Sequence, residues 1–281
     1  MSRLKKAAVT GWPVDHSRSP VIHGYWLKKY GIEGSYVARA VPPETAFSFY
    51  RDFAGSGLVG CNVTVPHKEV AARACDILDE AAQAMGAANT LWLDDDGRLH
   101  GSNTDGLGFL GNLDQQAPGW DRKAGSAVVL GAGGAARAIV WALLERKFTT
   151  VHIVNRTLQK ARDIQETFGS QTIAHSWDNL GKILDNASVL VNTTALGMTG
   201  KDPLRVDLSP LPVSALVTDI VYVPVETELL KQARQRGNPV VDGLGMLLHQ
   251  AVPGFEKWFG RQPEVDETVR DLVLKDMGVA P

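Results

Sequence analysis

Ser126-Ala127-Val128-Val129-Leu130-Gly131-Ala132-Gly133-Gly134-Ala135-Ala136 is the stretch from which the fold can be read. Residues 126–130 are apolar without alternation, the pattern of a parallel strand buried on both faces. Glycines follow at once, and then a helical pattern over 135–147. Gly131, Gly133 and Ala136 fit the G-x-G-x-x-G/A spacing, with a strand before and a helix after. The first glycine permits a tight turn, and the second lets backbone approach a pyrophosphate. The third small residue lets helix and strand pack closely. Further strands are written at 151–154, 189–192, 217–220 and 239–241, with helices between them, the clearest over 226–236 and closed by Gly237. This rhythm predicts a Rossmann-type, doubly wound α/β domain.

The end of the second strand selects the cofactor. An acidic residue there serves a ribose without a 2′-phosphate. This chain has Asn155-Arg156-Thr157 instead, with Lys160 a turn later. A guanidinium pairs with phosphate through two hydrogen bonds, and Thr157 adds a hydroxyl donor. NADP is therefore favoured over NAD.

The amino-terminal part turns on Gly60-Cys61-Asn62-Val63-Thr64-Val65-Pro66-His67-Lys68-Glu69. Val63 and Val65 alternate with Asn62 and Thr64 as in a half-buried strand, which Pro66 stops. Lys68 then falls in the first turn of a helix, where the macrodipole disfavours a cation. A lysine in that place is either merely solvated or held where a proton must be given or taken. Upstream, Ser17-Arg18-Ser19-Pro20 reads as a helix start, with Ser19 as N-cap and Pro20 as first helical residue. Two hydroxyls beside free helix N–H groups can equally hold a carboxylate.

Other elements follow from periodicity. Strands are expected at 7–11 and 36–41, and a helix near 44–55. Val70, Ala74, Ile77, Leu78, Ala81 and Met85 predict one long amphipathic helix. Residues 85–93 read as a strand entered through a glycine, which Asp94-Asp95-Asp96-Gly97 turns back into a hairpin over 98–102, so Asn89 and Asp105 can lie close together. A last helical stretch covers 244–259 and can pack back on the first domain.

Composition excludes some classes. Of 281 residues, 44% are hydrophobic and 21% charged, with a net charge of −2, which gives no footprint for nucleic acid or anionic membrane. No signal peptide or membrane span is read, and Cys61 and Cys75 form neither a metal pair by spacing nor a disulfide framework. A reducing cytoplasm is expected, with no metal.

Taken together, Ser17-x-Ser19-Pro20, Asn62-Val63-Thr64-Val65-Pro66-His67-Lys68, Ala88-Asn89-Thr90, Asn103-Thr104-Asp105-Gly106, the glycine loop and Asn155-Arg156-Thr157 closely resemble the shikimate dehydrogenase family. Asp219-Ile220-Val221-Tyr222-x-Pro224 and Gly243-Leu244-Gly245-Met246-Leu247-x-x-Gln250 match too, in family order. The resemblance implies reduction of 3-dehydroshikimate to shikimate by NADPH, in aromatic amino-acid biosynthesis. It makes Lys68 and Asp105 the catalytic pair and Ser17 and Ser19 the carboxylate holders. Thr64, Asn89, Tyr222 and Gln250 become further substrate contacts. Gly131, Ala132, Gly133, Gly134 and Ala135 form the cofactor loop, with Asn155, Arg156, Thr157 and Lys160 at its phosphate. Ile220, Gly243 and Met246 would lie near the nicotinamide, with a weaker cofactor link at Glu80. His67 and His249 receive no catalytic role. Chemically, the helix terminus and burial favour the neutral amine of Lys68, whereas Asp105 favours its charged form.

The implied organisation is a substrate domain at 1–106, completed by helices at 244–281, and a Rossmann domain at 107–243, with a cleft between them. The family allows monomers and homodimers. Rival readings are a quinate/shikimate dehydrogenase using NAD, another two-domain NADP enzyme, and a non-catalytic NADPH-binding regulator. Arg156 argues against the first, the Ser17/Ser19 pair against the second, and an intact Lys68 and Asp105 against the third.

Overall fold

The computed structural model describes residues 4–279. The chain divides into two units, one running to Thr104 and resuming at Leu248, the other spanning Asp105–Leu247.

The first unit begins with β1 (Lys5–Gly11), α1 (Ser19–Lys29), β2 (Gly34–Ala40), α2 (Pro43–Arg51) and β3 (Gly60–Val63). It continues through α3 (Lys68–Ala74), β4 (Ile77–Leu78), α4 (Glu80–Met85), β5 (Thr90–Leu93) and β6 (Leu99–Ser102). Among the described residues these strands form a six-stranded sheet in the order β2-β1-β3-β5-β6-β4. β1 runs parallel to β2 and β3, whereas β5 is antiparallel to both β3 and β6. Ala8, Cys61, Val63 and Leu91 of the sheet bury against Tyr50, Phe53 and the alanines of α3.

The long helix expected from Val70 to Met85 does not form. α3 stops at Ala74, and β4 pairs with β6, Ile77 opposite His100 and Leu78 opposite Gly101. Two aspartates cause the break. The Asp76 carboxylate accepts the Leu99 amide at 2.9 Å and the Arg51 guanidinium at 2.7 Å. Asp79 caps α4 by accepting the Ala82 amide at 2.8 Å. Short acidic side chains find backbone partners outside a helix more readily than within one.

The second unit contains α5 (Asp105–Gln116), β7 (Ser126–Leu130), α6 (Gly134–Glu145), β8 (Thr150–Val154), α7 (Leu158–Phe168) and β9 (Thr172–His175). Then come α8 (Leu180–Ile183), β10 (Ala187–Asn192), β11 (Leu216–Asp219), α9 (Glu228–Arg236), β12 (Val240–Val241) and α10 (Leu244–His249), which ends past the boundary. All strand pairs here are parallel, in the order β12-β11-β10-β7-β8-β9. The winding reverses between β7 and β10, the switch point at which such sheets bind ligands beyond their carboxyl ends. β9 was not anticipated. Its four residues mix exposed and buried positions without a clear period, and its pairing with β8 defines it.

α11 (Val252–Phe259) and α12 (Glu267–Asp276) belong to the first unit. The helical stretch expected over 244–259 is interrupted after His249, and Pro253, which has no N–H for the ladder, opens α11. The Trp258 indole donates to the Leu91 carbonyl at 2.9 Å, and Asp266 accepts both Lys29 and the Tyr25 hydroxyl at 2.8 Å.

Candidate functional site

β3 ends at Val63, the Thr64 carbonyl accepts the His67 amide at 3.0 Å, and Lys68 opens α3 as its sequence position implied. His67 is buried and its ring serves the structure, with Nε2 2.7 Å from the Val41 carbonyl. Lys68 is half-buried, and its own carbonyl accepts the Ala88 amide at 2.9 Å. Thr64 donates its amide to Thr10 at 2.8 Å and lays its methyl against Gly11, where a Cβ would stand only 2.5 Å away.

Ser19 is not the cap that its sequence suggested. α1 begins at Ser19 itself, after an Arg18 N-cap with no side-chain cap bond. The Ser17 hydroxyl accepts the Ser19 amide at 3.4 Å and donates to the Ser19 hydroxyl at 3.3 Å. Ser19 also lies in hydrogen-bonding range of the Tyr36 hydroxyl. Tyr36 donates to Asn62 Oδ1 at 2.6 Å, and burial holds its pKa well above the usual phenol.

Asn89 is a hub. Its Oδ1 accepts the Thr104 amide and the Thr90 hydroxyl, each at 2.9 Å, and its Nδ2 donates to Gln250 Oε1 at 3.4 Å. The Thr104 hydroxyl stands 3.1 Å from Asn89 Oδ1 and 2.8 Å from the Gln250 carbonyl, two acceptors for one proton. Asn62 Nδ2 donates to the Thr90 hydroxyl at 3.1 Å. Ser17, Ser19, Asn89 and Gln250 thus join one polar network with Tyr36, Asn62, Thr90 and Thr104. Those last four were missed as site residues. Asn62, Thr90 and Thr104 lie within the quoted motifs, whereas Tyr36 gave no local signal.

Asp105, buried at 7% exposure, is the first residue of α5. The absent side chain of Gly106 admits the Trp141 ring. Glu80, exposed at the start of α4, is a position a helix dipole already favours for an acid. Tyr222 is half-buried beyond β11.

The glycine loop divides into two kinds of glycine. Gly131 has φ +109°, and a Cβ there would meet Thr193 Oγ1 at 2.7 Å, so the fold itself requires glycine. At Gly133 and Gly134 a Cβ would meet nothing within 4 Å. Packing does not explain those two, and they leave a cradle above the start of α6 between Ala132 and Ala135. At the end of β8, Asn155 Nδ2 folds onto the Thr157 carbonyl at 2.9 Å. Arg156, Thr157 and Lys160 are exposed there, and Thr157 begins α7 without using its hydroxyl as a cap. Open backbone at a helix start and a cluster of donors without a carboxylate fit a dinucleotide bearing a 2′-phosphate.

Beyond β11, Asp219 accepts the Val221 amide at 3.0 Å, the Thr227 hydroxyl at 2.8 Å and Asn192 Nδ2 at 2.9 Å. Burial pushes its pKa up to about 6 against those three donors. It shapes the loop carrying Ile220 and Tyr222. Gly243 lies directly on that loop, since a Cβ would stand 2.5 Å from the Ile220 carbonyl oxygen. Met246 and Ile220 pack against the core of this unit.

Comparison with known proteins gives the family. The family model of the shikimate dehydrogenase substrate binding domain matches residues 9–91, and that of shikimate / quinate 5-dehydrogenase matches 114–199. The shikimate 5'-dehydrogenase C-terminal domain matches 243–273. Shikimate dehydrogenase (NADP(+)) of Brucella abortus (strain S19) is 55% identical over 283 residues, covering 100% of this chain and 97% of its own. Shikimate 5-dehydrogenase from Thermus thermophilus, solved with NADP(H) and shikimate, superposes with a TM-score of 0.82 at 35% identity, over 96% of this chain and 100% of that one. Quinate dehydrogenase from Corynebacterium glutamicum, solved with NAD, gives 0.87 at 28% identity, over 97% and 99%. With matches to the family's substrate-binding, central and C-terminal domains and full-length identity above half, the chain belongs to the shikimate dehydrogenase family.

Proposed function

We propose that this NADP-dependent oxidoreductase interconverts 3-dehydroshikimate and shikimate through Lys68 and Asp105. The observation that carries the residue assignment is the dipeptide Ala88-Asn89. Ala88 bonds the Lys68 carbonyl, and Asn89 holds the amide of Thr104, the residue before Asp105. Both members of the pair thus continue from backbone anchored on one short stretch.

NADPH supplies the hydride when bound. As hydride reaches the ketone, negative charge grows on its oxygen, and Lys68 meets that charge with a proton or its ammonium. Asp105 is the lysine's partner in that proton transfer. Ser17 and Ser19 hold the substrate carboxylate, while Thr64, Asn89, Tyr222 and Gln250 meet its hydroxyls. Asn155, Arg156, Thr157 and Lys160 take the 2′-phosphate, and backbone over 131–135 takes the pyrophosphate. Ile220, Gly243 and Met246 flank the nicotinamide, with Glu80 a more distant contact. The enzyme acts on a small molecule, in the cytoplasm, as a monomer or homodimer. No described helix is long and apolar enough to cross a membrane.

The test is a matched assay of the purified protein. Shikimate with NADP should be oxidised far faster than quinate with NAD. A preference for quinate and NAD would overturn the substrate and cofactor assignment, and no turnover of either would leave a binding protein.

A further inference from the structure

The turn Asp242-Gly243-Leu244-Gly245-Met246 runs from the end of β12 through the first residues of α10, and its sequence alone explains only part of its shape. The Asp242 carboxylate accepts the Leu244 amide at 2.9 Å, a local bond that any Asx turn makes. Gly243 lies on the Ile220 backbone. The remaining support comes from one side chain of α5, Asn112.

Asn112 is 1% exposed. Its Nδ2 donates to the Asp242 carbonyl at 2.7 Å. Its Oδ1 fills the place where a side chain on Gly245 would begin, so any Cβ there would overlap it. That oxygen is buried and has no hydrogen-bond partner. An unpaired buried acceptor costs stability, and an apolar residue of similar size would avoid the cost. One planar amide therefore grips the turn at both ends, by a hydrogen bond at Asp242 and by contact at Gly245.

We propose that Asn112 is a positioning residue that sets the nicotinamide half of the cofactor site by bracing this turn. The inference rests on the reading that Ile220, Gly243 and Met246 flank the nicotinamide. It deepens that reading, because Asn112 acts through the turn and touches no reacting atom. Loss of its donor should loosen Gly243 and Met246 and leave the phosphate donors at the end of β8 unchanged.

The test compares two ligands on the full-length enzyme. NADPH carries the nicotinamide half, whereas adenosine 2′,5′-bisphosphate carries only the half held near Arg156. Asn112→Ala should weaken NADPH binding about five- to ten-fold, the effect of one lost hydrogen bond, with the bisphosphate unchanged. Asn112→Asp keeps the shape but sets an acceptor against the Asp242 carbonyl, so it should bind NADPH no better than the alanine variant. Unchanged bisphosphate affinity also verifies that each variant is folded. Equal weakening of both ligands, no weakening of either, or an aspartate variant that matches the parent would overturn the proposal. Met246→Ala should weaken NADPH alone. If it does not, the nicotinamide placement fails and the proposal with it, whereas a Met246 effect without an Asn112 effect overturns the proposal alone.

Discussion

The indole nitrogen of Trp258 occupies the space a side chain at Gly60 would need, and from there it donates to the Leu91 carbonyl at 2.9 Å. This one contact lets α11 lie on β3 and β5, the strands that lead into Lys68 and away from Asn89. Gly60→Ala must displace a fully buried tryptophan and its hydrogen bond. It should destabilise the protein by about 2–4 kcal/mol, the sum of overpacking and a lost bond. Urea unfolding measures this, and Trp258→Phe should cost less and partly relieve the alanine. Strictly additive losses in the double variant would show that the two residues do not compete for the same space.

His23 provides a pH-dependent prediction. It is fully buried, stacked 3.9 Å from Tyr36 and surrounded by Trp26, Phe255 and Trp258, and neither ring nitrogen has a hydrogen-bond partner in good geometry. Burial lowers its pKa from 6.5 to about 3, only partly opposed by the nearby Asn62 side chain. Between those values the unfolded chain binds a proton that the folded chain refuses, so stability is fully present above pH 6.5 and falls as pH drops. The slope reaches about 1.4 kcal/mol per pH unit. Asp219, raised from 3.8 to about 6, works in the opposite sense, favouring the fold at low pH and losing that contribution as pH rises through 6. His23→Phe should flatten the acid limb relative to the parent. Identical slopes from pH 7 to 5 in the two proteins would remove His23 as its source.

Because Ser19 caps nothing, its removal should affect the substrate more than the fold. Ser19→Ala should raise KM for shikimate and change stability by less than about 0.5 kcal/mol, well below the cost of losing a helix cap. Ser17→Ala should raise KM as well, with a small loss of stability because its hydroxyl accepts the Ser19 amide. A stability loss at Ser19 with unchanged KM would return that residue to a structural role.

Arg156 is exposed at the end of β8, so its charge is available without a folding penalty. Arg156→Ala should weaken NADP binding by about 1.5–3 kcal/mol, the scale of a charge-assisted hydrogen bond. NAD binding should hardly change. Equal losses for both cofactors would show that Arg156 does not read the 2′-phosphate.

Lys68→Ala should lower kcat by about 10²- to 10⁴-fold, the range of one acid–base group, with a much smaller change in KM. Asp105→Asn should also cut kcat. If the two act as a unit, the double variant is little worse than the worse single one, whereas independent groups give multiplying losses.

The sequence by itself determined what depends on neighbours along the chain. An apolar run, three small residues at fixed spacing and a following helix suffice for the strand, glycine loop and helix over 126–145, because each glycine's conformation and each strand's burial show in adjacent residues. The same holds for the placement of Lys68 just after Pro66. The tertiary structure decided what depends on partners far along the chain. Asp76 breaks an amphipathic pattern because Leu99, 23 positions away, offers it an amide, and β9 exists because β8 pairs with it. Tyr36, Asn62 and Thr104 join the site, and Asn112 the turn after β12, through hydrogen bonds that span 14 to 146 positions. Periodicity cannot register such bonds, since it records which face a residue presents and not which group waits there.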